Sequence, residues 1–134
     1  MEYTTNIRVR YADTDKMGIV YNGKYLEYFE VGRAELMRSY GLPYVAFEKA
    51  GYFLPLVEAH VNYRTPAYYD DLVQIQAIYY PEIKATVKFN YKCFVNEEIV
   101  ADGHTIHSFL NAKTRKPTRP PKFFIDSLRK MKLI

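Results

Sequence analysis

Residues 22–41 read NGKYLEYFEVGRAELMRSYG, and this stretch decides the fold. Its larger side chains recur at helical spacing along one stripe, at Leu26, Phe29, Arg33, Leu36, Met37 and Tyr40. Asn22 is a good N-cap, because its side chain can accept a hydrogen bond from a free backbone N–H one turn on. Gly41 ends the helix and Pro43 prevents its continuation. About 18 residues predict a helical rod of roughly 27 Å.

The first half of this helix must be enclosed by other elements, since Tyr25, Tyr28 and Val31 add apolar surface beside the main stripe. The rest of the chain supplies strands. Alternating side chains predict strands over residues 3–11, 57–64, 73–79, 84–93 and 99–111. The joints at Pro81-Glu82 and Asn96-Glu97 are too short for a crossover, so the strands that they connect pair antiparallel.

The predicted fold class is therefore α+β, with one long central helix wrapped by a curved antiparallel β-sheet. A chain of 134 residues without repeats or linkers is expected to form a single domain over residues 1–134. A sheet that covers a helix with one face leaves its other face or an edge to be covered. We therefore expect the protein to be an oligomer.

The composition is that of an ordinary soluble protein, with 49% apolar and 25% charged residues. No apolar stretch approaches the roughly 18 residues of a membrane span, and the N-terminus lacks the pattern of a signal peptide. These features predict a cytoplasmic protein that does not enter the membrane. Cys93 is the one cysteine, which excludes a disulfide framework and a multi-cysteine metal site within the chain.

A pair of aspartates, Asp13 and Asp15, lies between the first predicted strand and the start of the helix. The unpaired N–H groups of the first helical turn, around Asn22 and Gly23, point outward along the positive end of the helix dipole. Such groups can stabilise an oxyanion, and a carboxylate across the Gly18 loop can face the same point. Together they are sufficient to hydrolyse a reactive ester such as a thioester.

Other interpretations of this pair fail on spacing. A calcium-binding loop would need an oxygen ligand where Met17 stands and a glutamate where Lys24 stands. An aspartyl phosphatase needs alternating βαβ units, which this chain lacks. Cys93 falls in the alternation that marks the core face of its strand, which argues against a Cys-His nucleophile. The remaining structural alternative is that Asp13 and Asp15 only cap turns.

The motifs resemble the 4-hydroxybenzoyl-CoA thioesterase family of hotdog-fold acyl-CoA thioesterases. The resemblance lies in YADTDKMGIVYN at residues 11–22, YLEYFE at 25–30, RAE at 33–35 and YRTPAYYDDL at 63–72. It covers nearly the whole chain, and the first motif is specific. The order of strand, buried helix and antiparallel meander agrees with a hotdog fold.

The resemblance implies catalytic roles for particular residues. The family's catalytic aspartate falls on Asp15, as nucleophile or as general base, two roles that the sequence leaves open. The N–H that polarises the thioester carbonyl falls at Asn22, where many relatives carry a histidine, and Gly23 beside it contacts the substrate. Tyr11 flanks Asp15, whereas Asp13 is a structural turn residue. The family hydrolyses its substrate without a metal or cofactor.

A basic cluster precedes the short C-terminal helix that we predict near Phe123 and Phe124. Its members are Lys113, Arg115, Lys116 and Arg119. Such a run is either a solvated loop or a set of contacts to the nucleotide phosphates of coenzyme A. It is also the best argument for nucleic-acid binding. That interpretation needs aromatic side chains that stack on the bases, whereas Phe123 and Phe124 look like the core side of a helix. We therefore expect no nucleic-acid partner.

Two further features have structural interpretations. His104 and His107 lie three residues apart on one strand, so they face opposite sides of the sheet and do not share a metal. Arg33 falls on the buried stripe of the helix and needs a carboxylate or carbonyl partner, from the sheet or from another subunit.

The sequence thus predicts an acyl-CoA thioesterase that acts as a homodimer or homotetramer, with the acyl chain in a slot between subunits. Two alternatives remain open at this point. One is an acyl-carrier-protein thioesterase on the same scaffold. The other is a non-catalytic acyl-CoA or RNA binding module, which would bind its ligand without turnover.

Overall fold

The computed structural model describes residues 1–134. Three α-helices and seven strands follow one another along the chain. In order they are β1 Glu2–Arg8, α1 Lys24–Ser39, α2 Tyr44–Lys49, β2 Tyr52–Phe53, β3 Leu56–Tyr63, β4 Leu72–Tyr79, β5 Thr86–Val95, β6 Glu98–Ser108, β7 Leu110–Asn111 and α3 Lys122–Lys130. One 3₁₀ turn at Tyr11–Asp13 lies between β1 and α1. None of the helices combines the length and the apolar character needed to cross a membrane.

Five strands form an antiparallel sheet in the order β1-β4-β5-β6-β3, and β2 pairs with β7 in a separate two-stranded sheet. The short joints behave as predicted, since β4 pairs antiparallel with β5 and β5 with β6. Helix α1 packs against the concave face that this sheet presents, with most of its contacts to β1 and β4. The predicted α+β architecture, a long helix wrapped by an antiparallel sheet in the hotdog manner, is confirmed.

Helix α1 begins at Lys24, one residue later than a cap at Asn22 implies. Gly23 occupies the N-cap position with helical dihedrals (φ −65°, ψ −21°), and no side chain caps the helix. The predicted capping role of Asn22 is therefore wrong. The end of the helix is as predicted, because Gly41 adopts φ +72° and Leu42 N–H donates to the carbonyl oxygen of Met37 at 2.9 Å.

The buried face of α1 follows the predicted stripe only in part. Its buried residues are Tyr25, Tyr28, Phe29, Gly32, Leu36 and Met37. Gly32 lets the helix approach β4 closely, since a Cβ atom at that position would lie 2.7 Å from Cγ2 of Ile75. Leu26 and Val31 stay 39% and 38% exposed, so the sheet encloses the helix from one side and leaves an apolar strip uncovered.

The elements differ from the sequence patterns in two strand boundaries, one added helix and the exposure of one strand. β1 ends at Arg8 because the chain turns into the 3₁₀ segment, and the last predicted run divides into β6 and β7. Helix α2 was not predicted, since its six residues are too few to establish a period. β3 forms one edge of the sheet and is mainly exposed along its length, although its alternation predicts a half-buried strand.

Candidate active site

Asp13 joins the end of β1 to the start of α1. Its carboxylate is almost fully buried and accepts hydrogen bonds from the backbone N–H of Arg10 (3.1 Å) and the hydroxyl of Tyr28 (3.0 Å). Nζ of Lys24 lies 3.7 Å away. Burial acts to raise the pKa of Asp13, but these hydrogen bonds and the charges of Arg10 and Lys24 hold it below its ordinary value. Both carboxylate oxygens contact groups of the same chain, Oδ2 through two hydrogen bonds and Oδ1 through Arg10 and Lys24, which supports the predicted structural role of Asp13.

Asp15 has a different environment two residues later. It is half-buried, and its backbone closes a tight turn with Gly18, whose φ is +77°. Oδ1 accepts a hydrogen bond from the N–H of Met17 at 2.8 Å, which fixes the carboxylate against its own turn. Oδ2 accepts no hydrogen bond and forms no ion pair. Asp15 therefore presents one oriented oxygen that is free to react.

The backbone N–H groups of Asn22 and Gly23 have no hydrogen-bond partner. The first engaged N–H is that of Lys24, which donates to the carbonyl oxygen of Tyr21 at 2.9 Å. The hydroxyl of Tyr63 donates to the carbonyl oxygen of Asn22 at 3.0 Å and fixes the segment from β3. These two free N–H groups lie at the positive end of α1, so they can stabilise a developing negative charge.

The turn that contains Asp15 returns the chain to this end of α1. Thr14 forms an antiparallel bridge with Val20, and the N–H of Asp15 donates to the carbonyl oxygen of Ile19 at 3.0 Å. The carboxylate and the free N–H groups are thus held on one short loop at one end of the helix. A carboxylate beside preformed oxyanion donors can hydrolyse an activated acyl group, either by attacking it or by activating water.

Tyr11 lies on the surface, with 77% of it exposed, and stacks on Tyr69 with ring centroids 3.9 Å apart. It makes no hydrogen bond to Asp15. Several other large side chains are exposed at this end of the molecule, namely Met17, Tyr21, Tyr63 and Tyr68. So much exposed apolar and aromatic area in one region indicates a surface that binds a ligand or another subunit.

The predicted basic residues lie elsewhere. Their loop follows β7 as a turn in which the side chain of Asn111 accepts hydrogen bonds from the N–H groups of Lys113 (2.9 Å) and Thr114 (3.0 Å). The guanidinium of Arg115 sits 5.5 Å from the ring centroid of Phe53 in β2. Ala112 N–H donates to the carbonyl oxygen of Gly51 just after α2, which places the loop beside the C-terminal end of α2. Within one chain the structure does not bring this loop and Asp15 together.

A cavity of about 360 Å³ lies along the C-terminal half of α1, where α2, β5 and β6 pack around it. Seven of its ten lining residues are hydrophobic, among them Met37, Phe47 and Phe89. Its polar lining includes Arg33 and His107. This cavity could not be predicted from the sequence, because its walls come from four separate elements.

His107 anchors a buried chain of hydrogen bonds beside this cavity. Nδ1 lies 3.3 Å from the carbonyl oxygen of Leu54, which can only accept, so Nδ1 carries the proton. Nε2 is then the acceptor for the hydroxyl of Thr105 at 3.0 Å, and Thr105 in turn accepts from the hydroxyl of Tyr91 at 2.5 Å. Burial, with a smaller contribution from the charge of Arg33, lowers the pKa of His107 to about 4.

This lowered pKa predicts a pH dependence of stability. Above pH 6.5 the imidazole is neutral in both the folded and the unfolded chain, so it does not make the free energy of unfolding depend on pH. Between pH 6.5 and 4 the unfolded chain binds a proton that the folded chain does not, so stability falls as the pH falls. The free energy of unfolding should lose about 3 kcal/mol from this group. Urea unfolding of the wild type and of His107→Asn should give free energies of unfolding that converge as the pH falls from 6.5 to 4. If the two plots against pH stay parallel instead, His107 protonates freely in the folded chain.

His104 and His107 face opposite sides of the sheet, as predicted. His104 lies on the outer face and contacts Oε2 of Glu58 at 2.6 Å, whereas His107 faces the core. No group of three or more histidine, cysteine, aspartate or glutamate side chains is arranged to hold a metal ion. Cys93 is fully buried in β5, and burial raises the pKa of its thiol to about 12.

Comparisons with known proteins point to one family. The sequence profile of the thioesterase-like superfamily matches residues 9–128. The solved DHNA-CoA thioesterase of Staphylococcus aureus is 30% identical and superimposes with a TM-score of 0.89, over 98% of this chain and 91% of that one. The 1,4-dihydroxy-2-naphthoyl-CoA hydrolase of Synechococcus elongatus is 27% identical over 90% of both chains. The acyl-CoA thioester hydrolase YbgC of Escherichia coli is 33% identical over 70 residues, 52% of each chain.

Proposed function

This chain belongs to the thioesterase-like superfamily and is a thioester hydrolase, and we propose that it cleaves acyl-CoA esters with Asp15 as the catalytic carboxylate. One observation carries this proposal. The N–H groups of Asn22 and Gly23 are unpaired at the positive end of α1, on the same loop that holds Asp15 with one free oxygen. The names of the relatives, which include acyl-CoA and DHNA-CoA thioesterases, support the acyl-CoA class. Membership of the narrower 4-hydroxybenzoyl-CoA subfamily stays a prediction.

In the proposed mechanism the thioester carbonyl oxygen accepts hydrogen bonds from the N–H of Asn22 or Gly23. The hydrogen bond from Met17 holds Oδ1 of Asp15 and turns Oδ2 toward the carbonyl carbon. Asp15 either attacks that carbon, which releases the thiolate and leaves an anhydride that water then cleaves, or removes a proton from an attacking water. Both routes consume one water and yield a free acid and a thiol. Asn22 offers no titratable side chain, so the thiolate of coenzyme A must leave without a histidine proton donor.

We propose that a second copy of the chain completes the site. β3 is an edge strand with a row of exposed apolar side chains, including Leu56, Val57 and Tyr63, which are 51%, 57% and 55% exposed. If two β3 edges pair antiparallel about a two-fold axis, the Tyr63 end of one copy lies against the Leu56 end of the other. The Asp15 end of one protomer then faces the C-terminal end of α1 in its partner. This arrangement would bring the basic loop of the partner toward the catalytic loop.

The direct test is release of free thiol from a panel of acyl-CoA esters that varies chain length and aromaticity. Acyl-carrier-protein esters of the same acyl groups should be assayed alongside. Turnover of the coenzyme A esters supports the proposal, and turnover of the carrier-protein esters alone favours the second enzyme on this scaffold. Tight binding of the whole panel without any thiol release would show a binding module instead.

The basic loop gives a second prediction about the nucleotide end of the substrate. Replacing Lys113, Arg115, Lys116 and Arg119 together with Gln should raise KM for coenzyme A esters and leave kcat nearly unchanged. These cations would contact a part of the substrate that is bound equally in the ground and transition states. Single changes should have graded effects, because exposed ion pairs are individually weak.

Two controls accompany this experiment. Truncated thioesters that lack the nucleotide should be hydrolysed equally by the wild type and the variant with the neutralised loop. Neutralising Lys88 and Lys92, which are exposed on β5, should not change KM. If the variant with the neutralised loop keeps the wild-type KM, the loop is only a solvated segment.

A further inference from the structure

Arg33 lies on the long helix α1 and has no role in the proposed mechanism. It projects from the stripe that faces the sheet and lines the 360 Å³ cavity beside α2. It is half-buried. Burial raises the pKa of Tyr91, and the charge of Arg33 and a hydrogen bond between the two side chains oppose that rise. The same charge adds to the effect of burial in lowering the pKa of His107, so Arg33 lies next to the buried hydrogen-bond chain. The sequence predicts that a cation in this position needs a carboxylate or carbonyl partner.

The chain supplies no anionic partner for Arg33. None of the ion pairs in the molecule includes its guanidinium, and no carboxylate lies within the 4.0 Å that defines one. Glu30, one turn earlier on α1, lines the mouth of the cavity but is exposed and forms no ion pair with Arg33. Arg38, five residues later, is by contrast paired with Glu35. The phenol of Tyr91 is a neutral hydrogen-bond partner for Arg33 and does not balance its charge. A half-buried cation without a counter-charge in mostly apolar surroundings is costly and calls for an anion.

The neighbouring polar groups leave Arg33 as the only cation at the cavity. His107 is held neutral, because both of its ring nitrogens are used by the Leu54 carbonyl and the Thr105 hydroxyl. The remaining walls are mainly aliphatic and aromatic. The cavity is more than twice the size of one of about 150 Å³ that holds benzene, so it can take an apolar body of roughly a dozen heavy atoms.

We propose that this cavity binds a small organic acid, with its carboxylate on Arg33 and its apolar body along Met37, Phe47 and Phe89. A guanidinium recognises a carboxylate through two parallel hydrogen bonds, which a neutral alcohol of the same shape cannot match. The acid can come from two sources. It is either a free acid, or the distal carboxylate of an acyl group whose thioester lies at the Asp15 of the partner subunit. The second source rests on the proposed function, whereas the binding site itself does not.

The test compares octanoate with octan-1-ol by isothermal titration calorimetry. Arg33→Gln and Arg33→Met should each raise the Kd for octanoate by about 10-fold or more, and neither should change the binding of the alcohol. The matched control is Arg38→Gln on the exposed side of the same helix, which should keep the wild-type Kd for octanoate. Equal octanoate affinity in the wild type and both Arg33 variants would overturn the proposal.

A stability measurement separates ligand binding from a structural role for Arg33. Without ligand, Arg33→Met should unfold at the same temperature as the wild type or a higher one, because the unpaired cation is gone. Octanoate should raise the unfolding temperature of the wild type and not that of the variant. If Arg33→Met instead weakens self-association and leaves octanoate binding intact, the partner of Arg33 is a carboxylate of another subunit and the proposal is wrong.

The two sources of the acid are distinguished by kinetics. If the distal end of an acyl group occupies the cavity, the coenzyme A ester of an acid with a second, terminal carboxylate should have a higher kcat/KM than its methyl-ended analogue. Arg33→Gln should abolish that preference. If the wild type hydrolyses both esters with equal kcat/KM and still binds octanoate, the cavity binds a free acid. If no thioester is hydrolysed at all, the proposed function fails while the titration still decides whether the cavity binds a carboxylate.

Discussion

Replacing Asp15 with Asn or Ala is expected to reduce turnover by at least about 10²-fold, the loss typical of a missing nucleophile or acid–base group. The fold should survive, because Asp15 is half-buried and accepts a single hydrogen bond, from its own turn at Met17. The measurement is thiol release under saturating substrate, with thermal unfolding recorded on the same samples.

The matched control is Asp13, which has the same side chain two residues away. Asp13→Asn should lower stability by about 1–3 kcal/mol, because it removes a buried charge that Arg10, Lys24 and Tyr28 surround. Its remaining folded fraction should hydrolyse thioesters at close to the wild-type rate. Equal losses of turnover at both positions, with stability intact, would show that the roles of the two aspartates are assigned incorrectly or shared.

The largest effect on stability is expected at Gly103, where β6 crosses beneath α1. A Cβ atom at this position would overlap the backbone carbonyl oxygen of His60 in β3 and would lie 3.0 Å from the ring of Phe29. Backbone atoms of a paired strand cannot move aside without breaking the β3–β6 pairing, in which Gly103 faces Val61. Gly103→Ala should therefore cost roughly 3 kcal/mol or more.

Gly32→Ala provides a graded comparison on α1. Its Cβ would press on Cγ2 of Ile75, which belongs to a side chain and can shift, so the loss of stability should be clearly smaller than at Gly103. Urea unfolding at one pH measures both variants. Equal stability of Gly103→Ala and wild type would mean that β3 does not pair with β6 as the structure has it, and that the proposed subunit edge is also misplaced.

Much of this fold is encoded locally and could be predicted. The stripe along residues 24–39 and the Gly41 turn identify α1, and the short joints at Pro81 and Asn96 identify the antiparallel meander. The order of the strands could not be predicted, because β3 and β6 meet through contacts between distant residues. The exposure of β3 was missed for the same reason, since alternation alone does not distinguish an edge strand from an internal one.

The site was predictable where it depends on one loop. The different roles of Asp13 and Asp15 are implied by the family resemblance of their motif and stay a prediction, which the buried, hydrogen-bonded Asp13 and the half-buried Asp15 support. The placement of Tyr11 and of the basic loop depends on how separate elements pack. Tyr11 stacks on Tyr69, which comes from a distant part of the chain, and the basic loop is held near Phe53 in β2. Both can serve one site only if a second subunit contributes.

The central claim is that thioester chemistry takes place between Asp15 and the free N–H groups of Asn22 and Gly23. A crystal structure with a non-hydrolysable acyl-CoA analogue, in which a ketone replaces the thioester, tests it most directly. We expect the carbonyl oxygen to lie about 3 Å from the N–H of Asn22 or Gly23, with Oδ2 of Asp15 facing the carbonyl carbon. A bound analogue whose carbonyl lies away from this loop, with both N–H groups still unpaired, would contradict the account.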